Sequence, residues 1–135
     1  MKLFSEFIKE NTLQPNAFII LKPEFINNDQ EWKEMIKNKG WEFITSEQKT
    51  LSLDQAEDLY IMHKDKDFYN DLCKYMSSGE CICADCYKNC KDPIEDMNKL
   101  KEHVRKKWGI NDMKNAMHSS DSIDNVNRES NICLH

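Results

Sequence analysis

The sequence has little glycine and proline, with three residues of each, and it has no long uninterrupted apolar segment. No stretch approaches the roughly 18 to 20 apolar residues that cross a bilayer, so we expect no membrane partner. Charge interrupts the first six residues too early for a signal peptide, which favours the cytoplasm. An excess of positive charge is also absent, because 24 acidic and 19 basic residues give a net charge of −5. This balance argues against a dedicated nucleic-acid site.

The six cysteines are unevenly distributed along the chain. Four of them, Cys81, Cys83, Cys86 and Cys90, fall within ten residues, which is unlike the disulfide framework of a small secreted domain. We therefore expect mostly free thiols and a reducing compartment. Thiolates this close together leave open a zinc site or a cysteine-based redox protein, although the spacing is not that of two separated Cys-x-x-Cys pairs. Strand alternation would place Cys81 and Cys83 on one side and Ile82 on the other.

The length of 135 residues predicts a single domain, and the pattern of apolar residues predicts an α+β fold. The apolar segment at residues 17–21, which ends at Lys22 and Pro23, is typical of a strand buried on both faces, and Ser52 with Gln55 has the form of a helix capping box. Four strands are predicted, over residues 17–21, 41–46, 81–84 and 115–118. Five helices are predicted, over residues 28–39, 52–63, 68–76, 93–104 and 123–129. In chain order the elements are strand, helix, strand, two helices, strand, helix, strand, helix. This order fits a ferredoxin-like split βαβ fold, with helices packed on a four-stranded antiparallel sheet.

One segment carries a specific signature. Asn115-Ala116-Met117-His118-Ser119-Ser120-Asp121-Ser122 closely resembles the active-site sequence Asn-x-x-His-Gly-Ser-Asp-Ser of nucleoside diphosphate kinases. Residues 17–23 resemble the first strand of that family, which ends in Lys-Pro, and residues 68–79 resemble its Phe-Phe…Leu-x-x-Tyr-Met-x-Ser-Gly segment. The similarity spans residues 17–129 in the family's order. We therefore expect residues 1–16 to be an N-terminal extension and residues 17–135 to form a nucleoside diphosphate kinase-like domain.

The resemblance implies a set of catalytic residues. His118 matches the histidine that is phosphorylated, Glu129 the carboxylate that orients it through the other ring nitrogen, and Ser120 the hydroxyl that supports this carboxylate. Lys22 matches a lysine that contacts the sugar and the transferred phosphate. Tyr60 matches a tyrosine beside the histidine, although its helical spacing is equally that of an ordinary core aromatic. The chemistry is sound, because a neutral imidazole is a good nucleophile and a carboxylate at its far nitrogen stabilises the developing charge.

The resemblance also implies a nucleotide-binding set. Phe68 matches the ring that stacks on the base, Asn115 the amide that binds the sugar hydroxyls, and Arg105 an arginine that contacts phosphate, alongside Lys22 and His118. Phe68, like Tyr60, could equally be a core aromatic. The implied partners are nucleoside di- and triphosphates, and the implied cofactor is Mg²⁺ carried by the nucleotide phosphates rather than by protein ligands.

The sequence departs from the family between the strand predicted at residues 81–84 and Arg105. That loop is shortened, and residues 85–104 contain no arginine and no threonine, although the family has one of each there in its phosphate site. Lys88 or Lys91 could substitute, without the bidentate grip of arginine. The family's glycine after the histidine is Ser119 here, whose side chain could crowd the pocket. The shortened loop makes a dimer or a monomer as reasonable as the family's hexamer.

Two functions follow from these observations. The first is a nucleoside diphosphate kinase that transfers the terminal phosphate of a nucleoside triphosphate to a diphosphate through a phosphohistidine at His118. The alternative is a weakly active or inactive nucleotide- or protein-binding subunit of a larger assembly; in either case a homo-oligomer or a larger assembly is expected. For His63, His103 and His135 we expect ordinary structural roles. The lysine-rich run over residues 99–107 is expected to be a solvated helix face.

Overall fold

The computed structural model describes residues 13–135, so most of the predicted extension at residues 1–16 lies outside the described residues. Four strands and five α-helices follow one another in the described part, together with two short 3-10 helices, Pro23–Asn28 and Ile61–His63. The elements are β1 (Ala17–Leu21), α1 (Asp29–Asn38), β2 (Glu42–Lys49), α2 (Leu53–Leu59), α3 (Tyr69–Met76), β3 (Cys81–Tyr87), α4 (Pro93–Trp108), β4 (Met117–Ser119) and α5 (Ile123–Leu134). Their order is the predicted one.

The four strands form one antiparallel sheet in the spatial order β2-β3-β1-β4. Strand β1 lies in the interior of the sheet, where Ile19 is paired with Ala84 of β3 and Ile20 is paired with His118 of β4. Every residue of β1 is buried, as its uninterrupted apolar sequence predicts. The predicted four-stranded antiparallel sheet of the ferredoxin-like split βαβ fold is confirmed.

Alternate side chains of β1 belong to two separate cores, one on each face of the sheet. Ile19 packs with Trp32 of α1 in the first core, and Ile20 packs with helices α2, α3 and α5 in the second. Trp32 is fully buried, and its indole Nε1–H is directed at the sulfur of Met117, 3.4 Å away. Burying a side chain of this size is worth about 3 kcal/mol or more, so Trp32 holds α1 firmly to the first face of the sheet.

Local sequence sets the ends of several elements. Gly40 has φ of +91°, a conformation that glycine adopts without steric cost, and it ends α1 as predicted. The predicted capping box at the start of α2 is present, since the Gln55 backbone N–H donates to the Ser52 hydroxyl at 3.0 Å and the Ser52 N–H donates to the Gln55 side chain at 2.9 Å. Several predicted ends are wrong: β2 continues to Lys49 and α4 to Trp108, beyond the predicted residues 46 and 104. β3 continues beyond residue 84 because it pairs on both sides, and α5 continues beyond residue 129 because Cys133 extends its buried face.

The backbone around β4 is fixed by bonds to β1 and by one unusual conformation. The Lys22 N–H donates to the carbonyl of Ala116 at 2.8 Å, and the Ser120 N–H donates to the carbonyl of Phe18 at 3.0 Å. Ala116 has φ of 84°, although it is not glycine, which costs on the order of 1 kcal/mol. This turn delivers His118 to the sheet surface. None of the helices in the described residues is long and apolar enough to cross a membrane.

Candidate active site

The centre of the site is a hydrogen-bonded group of three side chains. The ring Nε2 of His118 lies 2.6 Å from Oε1 of Glu129, and the Ser120 hydroxyl donates to the same oxygen at 2.7 Å. Glu129 is supplied by α5 and its side chain is only 6% exposed. Because a carboxylate accepts the Nε2–H, the neutral ring has its lone pair on Nδ1. Nδ1 has no hydrogen-bond partner within residues 13–135, and His118 lines a cavity.

Burial keeps this imidazole neutral. Desolvation lowers the pKa of His118 below its ordinary value, and the hydrogen bond and charge of Glu129 act in the opposite direction. The charges of Lys22 and Lys101 add to the lowering. The uncharged, nucleophilic form therefore predominates near neutral pH, and Glu129 is in place to stabilise positive charge when the ring reacts.

The cavity next to His118 has a volume of about 670 Å³, and its cationic lining residues are Lys22, Arg105 and Lys114, the last of which pairs with Glu24 at 2.9 Å. Nζ of Lys22 donates to the carbonyl of Met113 at 3.2 Å, and Nε of Arg105 donates to the carbonyl of Met117 at 3.1 Å, which leaves the terminal nitrogens of the guanidinium available. Lys22 is only 3% exposed. Burial, followed by the charges of Arg105 and Lys101, lowers the pKa of Lys22 to about 7. A bound anion would restore its charge.

A series of aromatic rings leads from His118 to the rim of this cavity. Tyr60 meets His118 edge to face with 5.6 Å between ring centroids, His63 stacks on Tyr60 at 6.4 Å, and Phe68 is tilted against His63 at 5.4 Å. Phe68 is 44% exposed and lines the cavity, so part of its surface is available to a ligand. The buried Tyr60 hydroxyl has no hydrogen-bond partner in the described part of the chain. Desolvation raises its pKa, so the phenol remains protonated and able to donate.

The structure brings together every residue that the resemblance had suggested. The cavity is lined by six of the eight, namely Lys22, Tyr60, Phe68, Arg105, Asn115 and His118. The other two, Ser120 and Glu129, bind each other behind His118. The Asn115 side-chain amide donates to the carbonyl of Asp112 at 2.7 Å, whereas its buried Oδ1 has no partner among the described residues. The individual roles of these residues stay predictions.

Sequence reasoning missed two groups near His118. His63 had been expected to have a structural role, yet it lines the cavity between Tyr60 and Phe68. The lysine run at 99–107 had been expected to be a solvated helix face, and this is wrong at Lys101, which is half-buried and lines a second cavity with His118. The only available signal was the four-residue spacing between Lys101 and Arg105, which places both on one helical face.

The lysines that sequence analysis offered as substitutes for the missing arginine lie elsewhere. Nζ of Lys88 pairs with Asp96 at 2.6 Å, and Lys88 does not line either cavity. Lys91 is exposed and does not line them either. Ser119 does not crowd the first cavity, because its hydroxyl is directed at the side-chain oxygen of Asn98, 3.4 Å away.

The clustered cysteines do not converge on one point. Cys81 and Cys83 face the second core, with sulfurs 3.8 Å apart, whereas Cys86 faces the first core across the sheet and Cys90 is half-buried beyond the strand. The predicted alternation of Cys81 and Cys83 against Ile82 is confirmed, and all six cysteines are free. Across residues 13–135 no group of three or more His, Cys, Asp or Glu side chains is arranged to hold a metal ion.

Comparison with known proteins agrees with this geometry. A solved nucleoside diphosphate kinase from Encephalitozoon cuniculi superimposes with a TM-score of 0.81, 20% identity and coverage of 90% of this chain and 89% of that one. The corresponding enzyme from Aquifex aeolicus gives a TM-score of 0.76, 21% identity and coverage of 88% and 94%. These likenesses define the fold class.

Sequence comparison defines the family within that class. The family model described as nucleoside diphosphate kinase matches residues 15–135. The nucleoside diphosphate kinase of Persephonella marina is 28% identical over 123 residues, which cover 84% of this chain and 88% of that protein. The chain belongs to the nucleoside diphosphate kinase family.

Proposed function

We propose that this protein is a nucleoside diphosphate kinase that carries the phosphoryl group on His118. The observation that carries the proposal is the pairing of His118 Nε2 with Glu129 at 2.6 Å, while the ring also faces a cavity that contains Lys22 and Arg105. A neutral, oriented imidazole beside two cations is the arrangement that attack on a phosphate requires.

The nucleotide would lie along the cavity from Phe68 to His118. The exposed surface of Phe68 suits stacking on any base, since every base has a π-face, so broad base specificity is expected. The unpaired Oδ1 of Asn115 suits a sugar hydroxyl. Lys22 and the free nitrogens of Arg105 would contact the phosphates. Mg²⁺ bound to these phosphates would neutralise part of their charge, and phosphate oxygens and waters would be its main ligands.

The reaction has two symmetrical halves. The Nδ1 lone pair of His118 attacks the terminal phosphorus of the triphosphate, a P–N bond forms, and the P–O bond to the leaving diphosphate breaks. The positive charge on the ring is stabilised by Glu129, whose position is held by Ser120. After the first diphosphate leaves, a terminal oxygen of a second diphosphate attacks the same phosphorus, and the P–N electron pair returns to Nδ1.

The test uses γ-labelled ATP and Mg²⁺ with the wild type, His118→Ala and, as a matched control, His103→Ala. His103 is exposed on α4 and lines neither cavity, so its removal should leave labelling unchanged. We expect acid-labile label on the wild type and on the control, none on His118→Ala, and transfer of the label to added GDP. Equal labelling of His118→Ala, or label that GDP cannot remove, would refute the proposal.

The second candidate is a nucleotide-binding subunit without useful turnover. It is favoured by one observation, the absence of arginine and threonine from residues 85–104. In that case the wild type would bind ADP but take up no label.

We also propose that the protein self-associates. Strand β2 is an outer strand of the sheet, and Ile44 on it is 37% exposed. Sedimentation equilibrium would measure the stoichiometry.

A further inference from the structure

A second cavity of about 490 Å³ shares Tyr60, His63 and His118 with the first. Its charged lining residues are Lys101 of α4, the exposed Lys66, and Asp121, Arg128 and Glu129 from the segment that follows β4. The proposed nucleotide contacts described above use none of them. His118 therefore lies at the junction of two cavities, each with cationic groups.

Arg128 is already committed to other protein groups. Its guanidinium donates to the carbonyls of Asp58 at 2.9 Å and Leu59 at 3.3 Å, and it lies 3.5 Å from the Glu129 carboxylate. These bonds attach α5 to the end of α2. Arg128 thus has a structural explanation and does not require a ligand.

Lys101 lacks such an explanation. It is half-buried one helical turn before Arg105, and within the described residues its ammonium has no hydrogen bond and no ion pair. Burial and the charge of Arg105 both lower the pKa of Lys101, although Asp121, Glu102 and Glu129 oppose them. Two like charges four residues apart on a helix repel each other. A half-buried cation that gains no protein partner is suited to an anionic ligand.

The carboxylates of this cavity do not neutralise Lys101 by direct contact. Glu129 accepts from His118 at 2.6 Å and from Ser120 at 2.7 Å, and Asp121 accepts from the Asn125 amide at 2.6 Å. Each carboxylate is therefore occupied by another donor. Lys101 and His118 line the same cavity, and the charge of Lys101 contributes to the lowered pKa of His118.

We propose that Lys101 contacts the terminal phosphate next to His118 and replaces the arginine that residues 85–104 lack. This inference rests on the proposed function, because it assumes that a nucleotide phosphate lies at His118. Lys22 and Arg105 would hold this phosphate from the first cavity and Lys101 from the second. An ammonium provides a point charge without a planar bidentate contact, so its contribution should be smaller than that of an arginine.

The test measures binding of adenosine, ADP and the non-hydrolysable ATP analogue AMPPNP, each with Mg²⁺, by calorimetry and NMR titration. The variants are Lys101→Met, Lys101→Arg and the matched control Lys99→Met, an exposed lysine on the same helix. Loss of one charge-assisted hydrogen bond should weaken AMPPNP binding about tenfold in Lys101→Met. Adenosine binding should be unchanged, ADP binding should change less than AMPPNP binding, and Lys101→Arg should restore AMPPNP affinity.

The outcomes separate this inference from the proposed function. Unchanged AMPPNP binding by Lys101→Met, or an equal loss for adenosine and AMPPNP, would overturn the role of Lys101 while leaving the kinase proposal intact. Wild-type protein that binds neither ADP nor AMPPNP would overturn both. The binding assay needs no turnover, so a protein that binds AMPPNP but forms no phosphohistidine with ATP would refute the kinase reaction and still decide the role of Lys101. Because its ammonium has no protein partner, Lys101→Met should fold normally, which circular dichroism would check.

Discussion

Replacing Lys22 with methionine should make the protein more stable and less able to bind phosphate. Lys22 is only 3% exposed, and within the described residues its ammonium makes one hydrogen bond, to the carbonyl of Met113 at 3.2 Å. Methionine has a similar length and no charge, so it removes the desolvated cation with little change in packing. Removal of a costly functional group commonly increases stability at the expense of activity.

The magnitude follows from the pKa of Lys22, which falls from its ordinary value of 10.5 to about 7 in the folded protein. At about 1.4 kcal/mol per pKa unit, holding the charged form in the folded state costs about 5 kcal/mol at pH 6. The lost hydrogen bond to Met113 offsets about 1 kcal/mol of this. Between pH 7 and pH 10.5 the unfolded chain binds one more proton at this lysine than the folded chain does, so wild-type stability rises with pH. The advantage of Lys22→Met should therefore be about 3 kcal/mol smaller at pH 9 than at pH 6.

Urea unfolding of wild type and Lys22→Met at pH 6, 7.5 and 9 measures this difference, with the exposed Lys74→Met as control. The control should show no pH-dependent difference. Saturating ADP with Mg²⁺ should narrow the gap, because phosphate stabilises the ammonium of the wild type only. The reasoning fails if Lys22→Met is no more stable than wild type at pH 6, or if the difference does not change with pH.

Three further changes have distinct expected results. Glu129→Gln should lower the pKa of His118 further in an NMR titration, because the carboxylate of the wild type raises that pKa. The same change should slow phosphohistidine formation on the order of 100-fold in rapid-quench experiments. An unchanged rate would count against the pairing of Glu129 with His118. Phe68→Ala should weaken adenosine binding by about 1–3 kcal/mol while leaving the melting temperature almost unchanged, because the ring is 44% exposed; equal affinity would exclude base stacking. Ser52→Ala should lower the free energy of unfolding by about 1 kcal/mol without affecting nucleotide binding, because it removes the capping box; no loss of stability would contradict that.

The fold could be predicted because its strongest determinants are local. The apolar run of β1, the glycine that ends α1 and the capping box of α2 each act within a few residues, and each is found in the structure. The ends of β3 and α5 could not be predicted in the same way. β3 is lengthened by pairing with two neighbouring strands, and α5 by the core into which Cys133 packs, and both depend on residues far away in sequence.

The residues of the site divide along the same line. His118 and its neighbours were recognisable because the signature is contiguous in sequence. Lys101 could not be recognised in this way, because the spacing of charges along a helix shows which side chains share a face but not which element packs over that face. His63 carries no local signal at all, and its place between Tyr60 and Phe68 depends on how the 3-10 helix Ile61–His63 turns the chain.

The unsatisfied groups of the described chain provide a separate argument that the first cavity is built for a ligand. Within residues 13–135, six buried side-chain nitrogen or oxygen atoms have no hydrogen-bond partner. Three of them, on Tyr60, His63 and Asn115, belong to residues that line the first cavity. Each such atom costs about 1–3 kcal/mol, and folding alone gives no reason to gather them in one place. Lys22 adds a desolvated cation and Ala116 an unfavourable φ next to the same histidine. A ligand with hydroxyl groups and negative charge could satisfy the polar groups together, so this concentration of cost is itself evidence for binding.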